Sequence, residues 1–127
     1  MPHVVLTNVS YFESFYNNFK KKVIIVKNDK EEQKKSIIRF DEILLNQSKN
    51  IILIKTISIE NDNQSQTYYI MVMKKNNDQI TIRLDPLTDP KNKTDLVKTS
   101  IANIAKQYKE NDKTISIIKT NLELFLT

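Results

Sequence analysis

Several residue types on which much enzyme chemistry depends are absent or nearly absent from this chain of 127 residues. It has no glycine, no cysteine and no tryptophan, and it has one histidine. Without glycine there is no P-loop, dinucleotide-binding fingerprint, kinase glycine-rich loop or G-x-S-x-G elbow, because each needs backbone conformations or close approaches that only glycine permits. Without cysteine there is no thiol nucleophile, no disulfide and no thiolate metal site.

The remaining candidates for catalysis are few. His3 stands next to Pro2 with no second histidine in the chain, so a two-histidine zinc motif is excluded and a solvated side chain is the simpler interpretation. Glycoside hydrolysis and two-metal chemistry need carboxylates that face each other across a cleft or cluster on rigid elements. The acidic residues here are scattered, and the loop pair Asp85 and Asp89 is typical of turns and helix caps. We therefore expect no catalytic residues, no cofactor, no metal and no enzymatic activity.

The charge is mildly basic, with 20 basic and 15 acidic residues and a formal net charge of +5. All but two of the basic residues are lysines, and they form short clusters at Lys20–Lys22, Lys34–Lys35 and Lys74–Lys75. A nucleic-acid surface is usually richer in arginine and more concentrated, so these clusters are more typical of solvated faces. A small basic RNA- or ribosome-associated module stays open as the alternative function.

The chain contains no apolar run of the length needed to cross a membrane as a helix. Its first residues lack the basic start and the small-residue cleavage site of a secretory signal. We expect a cytoplasmic protein, with the nucleus as a second compartment. The length predicts a single domain over residues 1–127.

The pattern of apolar and turn-forming residues predicts an α+β domain. It has a mainly antiparallel sheet of five or six strands and one principal helix near residues 94–110. The pattern predicts an antiparallel meander of three strands with hairpin-length loops, over residues 50–60, 67–73 and 79–84. Further strands are predicted over residues 4–9, 23–26 and 114–121, and a short helix over residues 11–21, capped at Ser10.

The principal helix has the clearest signal. Thr94 or Asp95 can cap its start, and its apolar residues are spaced four, three and four apart along one face. These residues are Val97, Ile101, Ile104 and Tyr108.

The segment 36–45 is ambiguous. Ile37, Phe40 and Leu44 would line one face of a helix, whereas Ile38 and Phe40 alternate with polar residues as in a strand.

The strand over residues 67–73 is apolar on both faces. Side chains alternate along a strand, so Tyr68, Ile70 and Val72 share one face, and the second face carries Tyr69, Met71 and Met73. An antiparallel strand with one wet face should alternate apolar and polar residues, which indicates that both faces are covered. One helix can cover only one of them.

Two alternatives could explain how the second face of this strand is buried. Tyr69, Met71 and Met73 could pack under the N-terminal aromatic segment as ordinary core. Alternatively they form a surface shared with another protein, since methionine and aromatic side chains are common at interfaces. We predict the partner interface, with Phe12 and Phe15 contributing. If this face is not the pairing surface, the edge strand or the N-terminal aromatic residues, which include Tyr11 and Phe19, become the candidates.

Read in order, several segments resemble the small proteasome assembly chaperones that work as heterodimers. The likeness is carried by VVLTNVSYFESF, SIIRFDEILL and the region from ITIRLDPLTDP to the end of KTISIIKTNL. Its individual points are Val4, Leu6, Asn8, Ser10, Leu84, the loop from Asp89 to Thr94, Leu96, Ala105, Ile115, Ile117, Asn121 and Leu122. The chain departs from the family pattern in having no glycine at its turns.

The resemblance implies a small antiparallel sheet with helices, in which residues 36–45 are a strand. It also implies that two related subunits pair as a heterodimer. The pair would bind proteasome α-subunits and guide formation of the 20S α-ring.

Overall fold

The structure, a computed structural model, describes residues 1–27, 35–60 and 64–126. Seven strands are present in this part of the chain: β1 His3–Thr7, β2 Lys22–Lys27, β3 Lys35–Leu45, β4 Ile51–Ile59, β5 Ser65–Lys74, β6 Ile80–Leu84 and β7 Ser116–Thr120. Two α-helices, α1 Phe12–Asn17 and α2 Asp95–Asn111, and two 3₁₀ turns, Pro86–Thr88 and Glu123–Phe125, complete the described elements.

All seven strands belong to one antiparallel sheet in the order β2-β3-β4-β5-β6-β1-β7. The strands from β2 to β6 follow one another as a meander, and β1 then lies between β6 and β7. The sheet curls into a half-barrel with one main helix. The prediction of five or six strands is therefore wrong, because the ambiguous segment at residues 36–45 adds a strand to the six that the sequence pattern indicated.

A β-bulge explains why β3 looked ambiguous. The register of β3 against β4 shifts between Phe40 and Glu42, which leaves Asp41 as an extra residue. On the face that packs on the core, the spacing between Phe40 and Ile43 is therefore three residues instead of two. The apolar residues are therefore spaced two, three and two apart, which is compatible with a helix as well as with a strand. These residues are Ile38, Phe40, Ile43 and Leu45.

Helix α2 lies within one residue of its predicted limits. The Thr94 hydroxyl accepts a hydrogen bond from the Val97 N–H at 3.3 Å, which caps the first turn. The predicted apolar stripe is buried along its whole length, from Val97 to Tyr108. This stripe packs on one face of the sheet, against β1, β6, β4 and β3.

Helix α1 lies on the same face of the sheet as α2. The ring of Phe15 stacks on that of Tyr108 with their centroids 4.7 Å apart. The helix is shorter than predicted and is not capped by Ser10: its N-cap is Tyr11, which makes no side-chain capping bond. Phe12 and Phe15 belong to the main hydrophobic core.

No helix in the described part of the chain is long and apolar enough to cross a membrane.

Candidate interaction surface

The sheet has two faces that differ in what covers them. The inner face carries Tyr68, Ile70 and Val72, which are fully buried under α2. Tyr68 contacts the helix directly, because its hydroxyl lies 2.8 Å from the Ser100 Oγ. Side chains one residue away along each strand point to the opposite, outer face.

The register of the sheet assembles a row of apolar residues on the outer face. Leu44 of β3 pairs with Leu53 of β4, which in turn pairs with Met71 of β5. Opposite residues on neighbouring antiparallel strands lie side by side on the same face, so these three side chains form one row. Leu44 is 50% exposed and Met71 is 9% exposed, so the row is open at its β3 end.

Two neighbouring rows widen this row into a patch. On one side Ile51 pairs with Met73, and on the other Lys55 pairs with Tyr69. Ile57, two residues beyond Lys55, continues the patch along β4. We call this surface the outer patch, and it consists of Leu44, Ile51, Leu53, Ile57, Tyr69, Met71 and Met73.

Charged residues on the outer face lie within or beside the patch. Lys55 is paired in the sheet with Glu42 of β3. Arg39 makes an ion pair with Asp41, with the Nη2 and Oδ2 atoms 3.1 Å apart. Polar residues also border the patch on β5 and β6, since Thr67 pairs with Ile57 and the β6 neighbours of Met71 and Met73 are polar.

The β6 side of the outer patch holds buried polar atoms that lack a partner. Arg83 pairs with Met71 in the sheet, and Thr81 pairs with Met73. The Arg83 Nε and the Thr81 Oγ1 are buried, and neither has a hydrogen-bond partner in the structure. Buried donors are satisfied in most folded proteins, so this pair is unusual for a surface that only meets solvent.

The structure thus brings together three of the five predicted interface residues. Tyr69, Met71 and Met73 all lie on the outer face, which no helix among the described elements covers. Phe12 and Phe15 lie elsewhere: they are 5% and 6% exposed and pack into the core on the inner side. The N-terminal aromatic segment therefore does not cover the second face of β5.

Sequence reasoning missed the β3 and β4 residues of the outer patch. Ile51, Leu53 and Ile57 share a face of β4 that is more apolar than the face buried under α2, and this contrast was the available signal. Leu44 could not be placed from the sequence, since its face depends on the bulge at Asp41.

The residues considered for catalysis have structural roles. His3 pairs with Arg83 in the sheet, and its Nδ1 lies 3.0 Å from the carbonyl oxygen of Met1. The Asp85 Oδ1 accepts a hydrogen bond from the Leu87 N–H at 3.1 Å, as a cap of the 3₁₀ turn. Asp89 makes an ion pair with Lys93 at 3.0 Å. No group of three histidine, cysteine or acidic residues that could hold a metal ion occurs in the described ranges.

A surface depression of about 510 Å³ lies at the start of α2. Its wall includes Glu60, whose Oε1 accepts a hydrogen bond from the Thr94 hydroxyl at 2.7 Å. The same Thr94 hydroxyl accepts the hydrogen bond from the Val97 N–H, so the contact with Glu60 belongs to the cap of α2.

Comparison with known proteins identifies no relative. The sequence matches no family model, and neither a curated protein nor a solved structure is significantly similar to it. The interpretation of the outer patch therefore depends on its own geometry.

Proposed function

We propose that this chain is a non-catalytic assembly chaperone. Its outer patch pairs with the sheet of a related subunit, and the pair binds proteasome α-subunits during formation of the 20S α-ring. The observation that carries the pairing is the apolar outer face of β3, β4 and β5. The identity of the partner and of the client comes from the resemblance of the sequence to the small heterodimeric chaperones.

The outer patch fits another sheet better than it fits solvent. An antiparallel sheet with one wet face normally alternates apolar inner and polar outer residues. Leu53, Met71 and their neighbours break this rule over three adjacent strands. Two sheet faces with interdigitating apolar side chains pack about 10 Å apart, which is the usual way in which such a face is buried.

The unpartnered polar atoms at the edge of the outer patch point to the same kind of partner. A carboxylate or carbonyl group on the partner could accept a hydrogen bond from the Arg83 Nε, and a hydroxyl or amide could pair with the Thr81 Oγ1. Charge-assisted hydrogen bonds of this kind would orient one sheet on the other.

Substitution of Met71 tests the pairing. Met71→Lys places an ammonium group at the centre of the outer patch, and a buried unpaired charge is strongly unfavourable at an interface. We expect the variant to stay folded, because the lysine can extend into solvent from the outer face in the free chain. We also expect it to lose the co-expressed related subunit in a pull-down. Leu124→Lys is the matched control, because Leu124 is exposed and lies outside the outer patch.

Circular dichroism and thermal unfolding of the isolated variant separate the two effects of this substitution. If Met71→Lys remains folded and keeps its partner at the affinity of the unmodified chain, the outer patch is not the pairing surface. If it unfolds, Leu53→Lys repeats the test from the neighbouring strand, and retention of the partner there contradicts the proposal.

A pull-down from the native cells at physiological and at about twice physiological salt tests the client. Recovery of α-type proteasome subunits at both salt concentrations supports the chaperone. Recovery of ribosomal RNA that is lost as salt rises supports the RNA-associated alternative, because binding to phosphates weakens steeply with salt.

We propose that the protein is present in the cytoplasm and the nucleus. Imaging of a fluorescent fusion checks both compartments.

A further inference from the structure

Arg83 is a cation at the border of the outer patch that makes no contact with a carboxylate. It lies between the inward-facing Ile82 and Leu84 of β6, and it pairs across the sheet with Met71 on one side and His3 on the other. Among the residues that the structure describes, the Arg83 guanidinium makes no ion pair. Its Nε is buried and has no hydrogen-bond partner. In this part of the chain its charge is therefore balanced by nothing within ion-pair distance.

Two other cations on the outer face have a carboxylate of their own chain beside them. Lys55 lies opposite Glu42, its partner in the pairing of β4 with β3. Arg39 makes its ion pair with Asp41 at 3.1 Å. A sheet that packs on the outer patch therefore meets Lys55 and Arg39 with their charges already accompanied by acidic groups, and it meets Arg83 without one.

The acidic residue nearest to Arg83 along the chain has another role. Asp85 follows two residues after Arg83, and its Oδ1 accepts the hydrogen bond from the Leu87 N–H that caps the 3₁₀ turn at Pro86–Thr88. No ion pair joins Asp85 to Arg83 in the described contacts. Asp85 thus stabilises the turn and does not neutralise Arg83.

Pairing through the outer patch changes the environment of Arg83. Its neighbour Met71 lies at the centre of the patch, and a second sheet packed about 10 Å away also covers the Arg83 side chain. Removing an unpaired guanidinium from water is strongly unfavourable, whereas a buried cation with a well-placed carboxylate is tolerated. The pairing is therefore favourable only if the partner presents a carboxylate to Arg83.

The donors of the guanidinium specify the geometry of this contact. The Nε–H and one Nη–H of an arginine lie parallel along one edge of the planar group, and a carboxylate can accept both hydrogen bonds at once. The buried Nε of Arg83, which has no partner, belongs to this edge. A carbonyl or hydroxyl oxygen brings no charge, so a carboxylate is the group that matches both the charge and the pair of donors.

We infer that Arg83 selects and orients the partner, through a two-point ion pair with an aspartate or glutamate on the apolar sheet face of the related subunit. The outer patch supplies the area of contact, and the ion pair fixes how the second sheet lies on the first. A sheet without an acidic residue at this place is rejected, because it leaves Arg83 buried and unpaired. This inference rests on the proposed pairing of the outer patch with a related subunit.

The affinity of Arg83 variants for the separately purified related subunit tests the ion pair. Arg83→Met keeps a long side chain but leaves the partner's carboxylate unpaired, so calorimetry should show binding at least ~30-fold weaker. Arg83→Lys keeps the charge but loses the parallel pair of donors, and it should bind ~3–10-fold more weakly. Lys119→Met is the matched control, because it removes an exposed cation of β7 and should leave the affinity unchanged.

A charge swap separates selection of the partner from a structural role of Arg83. Arg83→Glu should abolish binding, since two carboxylates then face each other. Replacing the partner's acidic residues by arginine, one at a time, should yield one variant that restores binding to Arg83→Glu by ~10-fold or more. Thermal unfolding of the isolated Arg83→Met chain should match that of the unmodified chain. A lowered unfolding temperature without any rescue would show that Arg83 has only a structural role.

The remaining outcomes distinguish this inference from the pairing itself. If Leu53→Lys loses the partner while Arg83→Met binds as the unmodified chain does, the outer patch pairs but Arg83 does not select. If Leu53→Lys keeps the partner, the pairing surface is wrong and the inference fails with it. A dimer of this chain alone that both Arg83→Met and Glu42→Gln weaken in sedimentation would make a second copy the source of the carboxylate. Equal losses in Arg83→Met and Lys119→Met would reduce the effect to net charge.

Discussion

The two faces of strand β4 show how little local hydrophobicity decides which side of a strand is buried. Toward α2 the strand presents Ile52, Ile54, Thr56 and Ser58, all fully buried. Away from α2 it presents Ile51, Leu53, Lys55, Ile57 and Ile59, all partly exposed. The inner face thus ends in two hydroxyl residues, while the outer face has two isoleucines at the same end. Because the sheet has one face under α2, the position of the helix and not the composition of the strand sets the burial.

A hydrogen-bond network makes the polar part of the inner face compatible with burial. The Ser100 hydroxyl donates to the Val97 carbonyl oxygen at 2.6 Å, so the Tyr68 hydroxyl donates to the Ser100 Oγ at 2.8 Å. Thr56, opposite Tyr68 in the sheet, donates to the Ile54 carbonyl oxygen at 3.1 Å. A buried polar group with a partner costs far less than one without, which explains why Thr56 is tolerated here. The Ser58 Oγ is also buried but has no hydrogen-bond partner in the structure.

The outer face shows the reverse case, in which apolar residues have no cover among the described elements. Met71 is nevertheless only 9% exposed, and its neighbours across the sheet are Leu53 and Arg83. Lateral packing removes part of the apolar area from water, and a partner would remove the rest.

The largest expected difference between the faces concerns the neighbours Ile54 and Leu53. Ile54→Ala should lower the free energy of unfolding by about 2–5 kcal/mol, because it removes a fully buried side chain and leaves a cavity under α2. Leu53→Ala should lower it by about 1 kcal/mol in the isolated chain, since the side chain is already partly solvated. Urea unfolding of both variants measures the difference. Equal losses would show that the outer face is as well covered as the inner one.

The next largest effect is a dependence of the free energy of unfolding on pH, caused by two buried tyrosines on the inner side of the sheet. Burial raises the pKa of Tyr68 from 10.0 to about 12, although its hydrogen bond with Ser100 opposes the shift. Burial also raises the pKa of Tyr108. A group whose folded pKa lies above its unfolded pKa stabilises the fold fully below the unfolded value. That stabilisation is lost as the pH rises through the folded value.

The free energy of unfolding should therefore fall between pH 10.0 and about 12. Each such tyrosine should contribute up to ~1.4 kcal/mol per pH unit. Tyr68→Phe removes one of the two groups and should make the decline less steep by up to that amount. Urea unfolding across this range, with tyrosinate absorbance as a second readout, measures both slopes. An unchanged slope in Tyr68→Phe would contradict the assignment. The exposed Tyr11 offers the control Tyr11→Phe, which should leave the slope as it is.

The smallest expected change in the free energy of unfolding comes from a charge substitution on the outer face. Lys55→Glu places a carboxylate opposite Glu42, and like charges opposite each other should lower the free energy of unfolding by about 0.2–1 kcal/mol. The loss should shrink as salt screens the pair. Lys119→Glu is the control, since Lys119 pairs with Val5 and meets no charge across the strand. A loss of several kcal/mol in Lys55→Glu would show that this part of the outer face is buried.

The sequence predicted the elements whose signals are local. The stripe from Val97 to Tyr108 and the cap at Thr94 placed α2 to within one residue, and the apolar runs with short polar loops placed the meander β4-β5-β6. The apolar second face of β5 also pointed to Tyr69, Met71 and Met73 as residues that α2 does not bury. In each case the period of side-chain exposure is repeated often enough to identify the element.

Other features of the fold could not be predicted from local sequence patterns. The bulge at Asp41 disguised β3 and lowered the predicted strand count. Phe12 and Phe15 were predicted to contribute to the partner interface, yet α1 places both in the main core, where Phe15 stacks on Tyr108. The position of β1 between β6 and β7 is set by pairings between residues far apart in sequence, such as Val4 with Ile82 and Thr120.

Composition by itself excluded whole classes of chemistry, because no fold can supply a thiol or a glycine-lined phosphate loop that the chain does not encode. Periodicity by itself determined α2 and most strands, because backbone geometry repeats every two or 3.6 residues. Only the tertiary structure decided which face of each strand α2 covers, because the helix docks as a unit on one side of the curled sheet. That choice buried Thr56 and Ser58, left Leu53 and Ile57 partly exposed, and joined residues from three strands into the outer patch.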